Sequence, residues 1–394
     1  MRRTDPLLLV FTFIVLIFEA FAFPADPILE TTEAIPAEPL SKIVFVNDLP
    51  AGQTVTFEFL SGAQVYVANS GDDEAEQYET NIHIHAPEEE VFLPQTMTEA
   101  GKKVDSETGI KTPVFEPLYY KFLVNNTNDE QRKFKNPGII YFVLANDASH
   151  KNTVYETNSE HRNVYLKSDN IVNHFVTLLN PSGAARVSNV RHIDGFTYLS
   201  VTAGGVEETT DMNYTIQNIG RDDALSKAPF LIVEPVVTFQ KQLSVFPKSE
   251  LEFTATAAQV PDGQVQVPMN WSEWSVGMSP NYMLNKESAS FKYVFNATMD
   301  NSQFDVQMLG EMDPSSSLSL SYDGYDGMGS ETLSKSHLNQ LSKNTKGRIL
   351  IVEYKRGVED QTRGVLVRVR CSQPASIPLL FSVFSAVSIR YLFL

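Results

Sequence analysis

The chain has 394 residues, of which 48 are acidic and 31 basic, giving a net charge of −17 at neutral pH. Such a surface repels nucleic acid and anionic lipid, which excludes nucleic-acid binders as a class. A single cysteine, Cys371, excludes an internal disulfide, so stability must come from hydrophobic cores, and the length is enough for two or three of them. In chain order, Arg2 and Arg3 precede an apolar run, Leu7 to Phe18, interrupted only by Thr12. Ala20-Phe21-Ala22 then has the small-x-small form of a cleavage site, so residues 1–22 read as a secretory signal peptide. Residues 23–40 carry four prolines, three glutamates and one aspartate and read as an extended leader without a core.

The next 330 or so residues read as mainly β, in two or three tandem sandwich modules of roughly a hundred residues each. The first spans residues 41–147. Lys42 to Val46 is a strand, Asn47 to Gly52 a turn, and Thr54 to Leu60 an alternating strand with Val55, Phe57 and Phe59 on one face. The acidic run Asp72 to Glu79 reads as a solvated loop and Glu88 to Pro117 as loop-rich. Residues 148–235 form a second module with weaker strand signals, and merge with the first in the alternative reading. Residues 236–370 form the third. Near-continuous apolar strands beginning at Gly138, Pro229 and Gly347 close the three units. One short helix is expected from Ser330 to Leu341, with Ser330 as cap, Glu331 in the first turn and Leu333, His337, Leu338 and Leu341 as an apolar face.

The strongest internal signal is a repeat. Tyr120 to Asp129 and Phe291 to Asp300 overlay without a gap, matching at lysine, asparagine, threonine and aspartate. The alternation sends Tyr120, Phe122 and Val124 to one face and Lys121 and Asn125 to the other, the pattern of a half-buried strand. Each copy ends in an Asn-x-Thr sequon, so each strand should finish at a wet surface. Asn125 and Asn296 are these two acceptors, and Asn213 and Asn270 are two more. Four sequons behind a signal peptide point to an N-glycosylated, exported protein.

Candidate chemistry is sparse. His83-Ile84-His85 followed by Glu89 is similar to the first metal motif of cupins, two imidazoles on one strand face and a following carboxylate suited to a divalent ion. Partner histidines are expected elsewhere, but His150, His161, His174 and His192 are scattered through polar segments, which favours surface histidines and no bound metal. Asp323 to Gly329 has the oxygen-rich look of a calcium loop but not the EF-hand spacing, and reads as glycine-tyrosine turns. Trp271-Ser272-Glu273-Trp274-Ser275 resembles the tryptophan-serine box of class I cytokine receptors, yet Ala257 to Met269 offers no lysine or arginine to stack on it. The same Trp-x-x-Trp spacing makes Trp271 a C-mannosylation candidate. Phosphate loops, nucleophile elbows and zinc-protease motifs are missing from the sequence. The expectation is therefore a protein without enzymatic activity or cofactor.

Residues 377–394 are mostly apolar, with Arg390 their one charge. This stretch resembles a GPI-attachment signal, with Cys371 and Ser372 as the candidate attachment residues. A retained tail anchor, as in a receptor, and a buried last strand are the alternatives. The Leu-Pro-Ala-Gly turn at 49–52, the modules of about a hundred residues and the sequon-bearing strands resemble the CUB-like domains of nematode secreted proteins, over 41–146 and 236–370. That resemblance implies a compact β-sandwich used for extracellular binding, in a family with some members linked to stress or pathogen response. The combined expectation is a cell-surface or secreted glycoprotein, held to the outer leaflet by lipid, that recognises an extracellular protein or glycan through the loops of its sandwiches. A cupin-like metal enzyme using His83, His85 and Glu89, or a tail-anchored receptor, is the alternative.

Overall fold

The computed structural model describes residues 41–372 except 88–93, 116–118, 145–150, 158–161, 167–173, 182, 193–198, 204–215, 220–232, 248–250, 259, 261–263, 270–273, 281, 283–289, 301, 325–326, 334–340, 358–361 and 363. The signal, leader and apolar tail lie outside these residues. So do Glu89, Asn213, Asn270 and Trp271. The described chain is mainly β, and its strands form five sheets.

Sheet 1 contains β2 (Gln53–Glu58), β6 (Lys121–Asn126), β4 (Ile82–His85) and β5 (Gln95–Thr96), in that order. Sheet 2 contains β1 (Ser41–Phe45), β7 (Ile139–Leu144) and β3 (Ala63–Ala68). Sheet 3 runs β13 (Ile216–Ile219), β12 (Leu199–Ala203), β15 (Gln242–Pro247), β10 (His174–Leu179), β8 (Lys151–Glu156). Sheet 4 runs β23 (Leu341–Gly347), β20 (Ser302–Glu311), β25 (Gly364–Ser372), β18 (Trp274–Met278), β14 (Val233–Thr238), β11 (Ala185–His192), β16 (Leu251–Ala257), β9 (Arg162–Leu166). Sheet 5 runs β17 (Gln264–Pro268), β19 (Phe291–Asn296), β24 (Ile349–Lys355), β21 (Ser317–Gly324), β22 (Gly327–Leu333). Sheet 4 draws strands from both sides of residue 235, and β14 itself spans that position.

The period of two explains how the sheets stack. Neighbouring residues of a strand face opposite ways, so a strand buried on both faces joins two cores. In β7, Ile140 and Phe142 enter a core shared with sheet 1, while Ile139, Tyr141 and Val143 enter one shared with β8 and β10 of sheet 3. In β14, Val236 faces sheet 3 and Val237 faces sheet 5. The five sheets are thus layered in the order 1-2-3-4-5, with an apolar seam between each pair. β7 and β18 are buried along almost their whole length for this reason.

The repeated strands hold equivalent places. Both β6 and β19 are interior strands, flanked by β2 and β4 and by β17 and β24 respectively. Phe122 and Tyr293 overlay in the repeat and both are fully buried, as are Val124 and Phe295. Thr127 and Thr298 are exposed just beyond the strands. One expected position differs: Tyr120 is 50% exposed, whereas its counterpart Phe291 is buried and stacks on Tyr354 at 5.2 Å. Tyr120 precedes β6, and its carbonyl accepts the Phe59 N–H.

Two local expectations are corrected. Ser330, Glu331 and Leu333 lie in strand β22, and Leu341 opens β23, so Ser330 caps no helix; His337 and Leu338 lie outside the described residues. Alternation prevails over the helical period here because Gly329 lets the Tyr322 ring of β21 cover it; a Cβ there would stand 2.2 Å from Tyr322 Cζ. The described ends of the Asp323–Gly329 segment are paired strand residues of β21 and β22, with Asp323 opposite Met328 and Gly324 opposite Gly327. Conversely, the acidic run is helix α1 (Asp73–Glu79), capped by Asp72, whose carboxylate accepts the Glu74 N–H at 3.1 Å. Its Ala75, Tyr78 and Glu79 are buried. A second short helix, α2 (Met97–Gly101), lies in the stretch read as loop and is capped by Thr96. Among the described residues no helix is long and apolar enough to cross a membrane.

Candidate functional site

A cleft of about 440 Å³ opens where the chain leaves the first repeated strand. Glu74, Gln77 and Asn81 of α1 and its exit form one wall, and Asn128, Asp129, Glu130 and Arg132 the other. A hydrogen-bond network fixes the second wall. Asn126 is fully buried, and its side-chain amide donates to Leu49 O at 3.2 Å and to the Tyr78 hydroxyl at 3.1 Å. Its carbonyl accepts from the Asn128 backbone and side chain at 3.2 and 2.8 Å. Tyr78 in turn donates to Glu130 O at 3.1 Å. Asn81 donates to Asn128 Oδ1 at 3.2 Å, and its carbonyl takes the Thr127 N–H and hydroxyl at 3.0 and 2.9 Å. Farther along, Asn47 exchanges two bonds of 2.8 Å with the Phe134 backbone. A loop tied at this many points presents its side chains without first being ordered, which lowers the entropic cost of binding.

The lining is amides, carboxylates, one guanidinium and one phenol. It is equipped to hydrogen-bond hydroxyl groups and to attract a cation through Glu74, Asp129 and Glu130. The sequence showed this segment as the end of a repeated strand with a sequon, and not as a cleft wall. The signal for the cleft is the asparagine density of Asn125-Asn126-Thr127-Asn128, since short amide side chains bond nearby backbone and build fixed turns.

The other singled-out residues lie as follows. His83 and His85 are half-exposed on the outer face of sheet 1. His83 is directly opposite Asn125 on β6 and Thr96 on β5, so the histidine pair and the first sequon share one face, a neighbourhood the sequence did not reveal. His174 lies in sheet 3, its Nε2 2.8 Å from the Thr153 hydroxyl. Among the described residues no cluster of three or more His, Cys, Asp or Glu side chains is arranged to hold a metal ion. Asn296 donates to Gln266 Oε1 at 2.8 Å and to Val294 O at 3.3 Å.

Cys371 is fully buried in the seam between sheets 4 and 5, opposite Phe304, and burial raises its thiol pKa. Such a thiol is not presented to another chain. Ser372 closes β25 opposite Gln303. The absence of lysine and arginine from Ala257 to Met269 does not leave the tryptophan box without a cation. The guanidinium of Arg370 lies 5.2 Å from the Trp274 ring, supplied by the partner strand β25 instead of the preceding segment.

Two buried ionisable groups and one half-buried lysine lie around the junction of sheets 2 and 3. Glu79 is 0% exposed, and its carboxylate accepts the Ser70 N–H at 3.1 Å. Burial pushes its pKa up to about 7, against the N–H donors of Ser70 and Gly138, with Glu76 and Glu156 adding to the rise. Lys111 is buried, pairs with Glu156 and donates to Gly101 O at 2.6 Å. Lys241 donates to Asn136 Oδ1 at 3.2 Å and Pro181 O at 3.3 Å, and burial lowers its pKa to about 8.

No protein-family model matches the chain, and no curated protein matches it either. Among solved structures it is similar to the CUB1-EGF-CUB2 domains of rat MASP-1, at 9% identity over 55% of this chain and 99% of that one, with a TM-score of 0.21. The corresponding human MASP-1/3 structure is similar at 11% identity, over 55% and 95%, with a TM-score of 0.20. These neighbours carry CUB domains, the family whose style the strands and sequons resemble. At such TM-scores the likeness carries no argument about arrangement or ligand.

Proposed function

We propose that this chain is an exported, N-glycosylated extracellular binding protein that recognises a polar protein or glycan partner through the cleft between α1 and residues 128–132. The observation that carries this reading is the pinned, open, polar cleft, whose groups suit hydrogen bonding and not bond cleavage. The signal-like residues 1–22 and the sequons at Asn125, Asn213, Asn270 and Asn296 support export. The apolar stretch 377–394 supports lipid attachment at Cys371 or Ser372; a lipid on the carboxyl end of Ser372 leaves β25 whole. The test is binding of the secreted protein to a glycan array and to lysine-rich peptides. The Asn81→Ala/Asp129→Ala double variant is expected to lose at least about tenfold in affinity with a nearly unchanged melting temperature, the size expected when two polar contacts to a ligand are removed. Full binding by that variant would move the recognition surface elsewhere.

The second reading is a metal-dependent enzyme at His83, His85 and Glu89, favoured by the shared face of the two imidazoles. A stoichiometric divalent ion lost on His85→Ala would support it over the cleft.

A further inference from the structure

One place with unanswered hydrogen-bonding capacity is the β18–β25 ledge of sheet 4, on the face that Trp274 and Val276 turn to the core shared with sheet 3. Trp274 is only 3% exposed, yet its indole N–H has no acceptor. A buried donor left unpaired is destabilising, so it calls for an explanation. Trp274 is paired across β25 with Arg370, and Val276 with Arg368, so all four side chains lie on one face of the sheet. Arg370 is already committed. Its Nε and Nη2 reach Asp305 Oδ2 at 3.1 and 2.7 Å, and its guanidinium covers the indole. Asp305 is engaged as well, since Gln303 donates to its other oxygen at 3.3 Å.

Arg368 is different. It is half-buried, burial lowers its pKa, and Tyr282 is the titratable neighbour that opposes this. No hydrogen bond or ion pair joins its guanidinium to another described residue. Its strand partners on this face are Val276 and Gln307, neither of which carries charge. Diagonal cross-strand neighbours are about 7–8 Å apart, within reach of long side chains, so an acceptor admitted by an outward swing of the Arg368 side chain can meet both Arg368 and the otherwise covered indole N–H. A guanidinium suits an oxyanion because its planar fork matches two oxygens.

We propose that this ledge binds a small oxyanion group, a carboxylate or a sulfate, held by the Arg368 guanidinium and the Trp274 indole N–H, with Arg370 and Asp305 fixing the indole. The class of ligand is an acidic or sulfated substituent on an extracellular partner. The site is separate from the polar cleft, in a different sheet, and does not rest on it.

The test uses the full secreted chain labelled with 15N-tryptophan, in which Trp271→Phe assigns the Trp274 indole signal. Sodium acetate and sodium sulfate are titrated separately at constant ionic strength, with sodium chloride making up the balance. A saturable shift of the Trp274 signal in either titration is expected, and the arm with tighter saturation identifies the source of the oxygen atoms. Arg368→Gln should weaken that binding at least about tenfold, while Arg368→Lys should retain part of it, because charge persists without the fork. Should Arg368→Gln fail to fold, Trp274→Phe read by calorimetric titration takes its place, with a several-fold loss expected. The absence of a saturable shift with both anions overturns the proposal, as does equal binding by the variants.

Discussion

Glu79 shows how a single residue escapes a reading by composition. In sequence it closes an acidic run, and acidic runs are usually solvated. In the fold Asp72 caps a helix whose buried side takes Ala75, Tyr78 and Glu79, and the carboxylate is sealed beneath Gly138, where a Cβ would stand 2.3 Å from its oxygen. The sequence cannot show this, because a charge carries no record of its partners. The consequence is a pH dependence with a definite sign. The native carboxyl titrates near 7, against 4.5 for the ordinary group. Between those values the folded state binds more protons than the unfolded state, so this group's contribution to stability falls as pH rises across the window. Glu79→Gln is expected to flatten the slope between pH 4.5 and 7 and to be the more stable form above pH 7, by up to about 2–3 kcal/mol. Urea unfolding at several pH values reads both effects, and a slope unchanged by the substitution would count against a native proton on Glu79.

Among elements, the repeated strand was the most legible, because alternation is a local property and both copies sit inside a sheet with one face on a core. The helix expected at 330–341 failed for the opposite reason. Its leucines have partial helical spacing, but Gly327 and Gly329 favour close strand packing and the partner strand β21 lies adjacent in sequence. The cleft was illegible since its two walls meet only when α1 folds against the end of β6. The repeat itself makes a contrast that can be measured. Phe122 is fully buried among Phe59, Phe115, Tyr119 and Phe142, with ring centroids 5.6 to 6.2 Å away. Tyr120, two residues earlier on the expected core face, is half-exposed. Phe122→Ala should cost about 3–5 kcal/mol, as for other buried aromatic truncations, and Tyr120→Ala less than about 0.5 kcal/mol. Chemical denaturation of the two variants distinguishes the observed burial from a strand whose core face extends to Tyr120.

At the scale of the whole molecule, five layered sheets hold the described residues together without an internal disulfide. Each interior sheet serves two cores, so the loss of one layer uncovers the next, and sheet 4 ties strands from 162–166 to strands as late as 364–372. The single thiol reports on this arrangement. Cys371 is packed with Phe304, Val306 and Val369 in the seam between sheets 4 and 5, and its burial keeps it in the unreactive thiol form. Alkylation requires both exposure and ionisation, so it should wait until β25 separates from β20. Under native conditions the full chain is therefore expected to react with iodoacetamide at least about a hundredfold more slowly than in urea, since opening of a core strand draws on most of the global stability. The labelling rate should then rise with denaturant in parallel with loss of β-sheet circular dichroism. Reducing agent should leave the melting temperature unchanged, as no bridge exists to break. Rapid alkylation of the native protein would mean that β25 frays at Cys371, and that the seam between the last two sheets does not extend to the end of the strand.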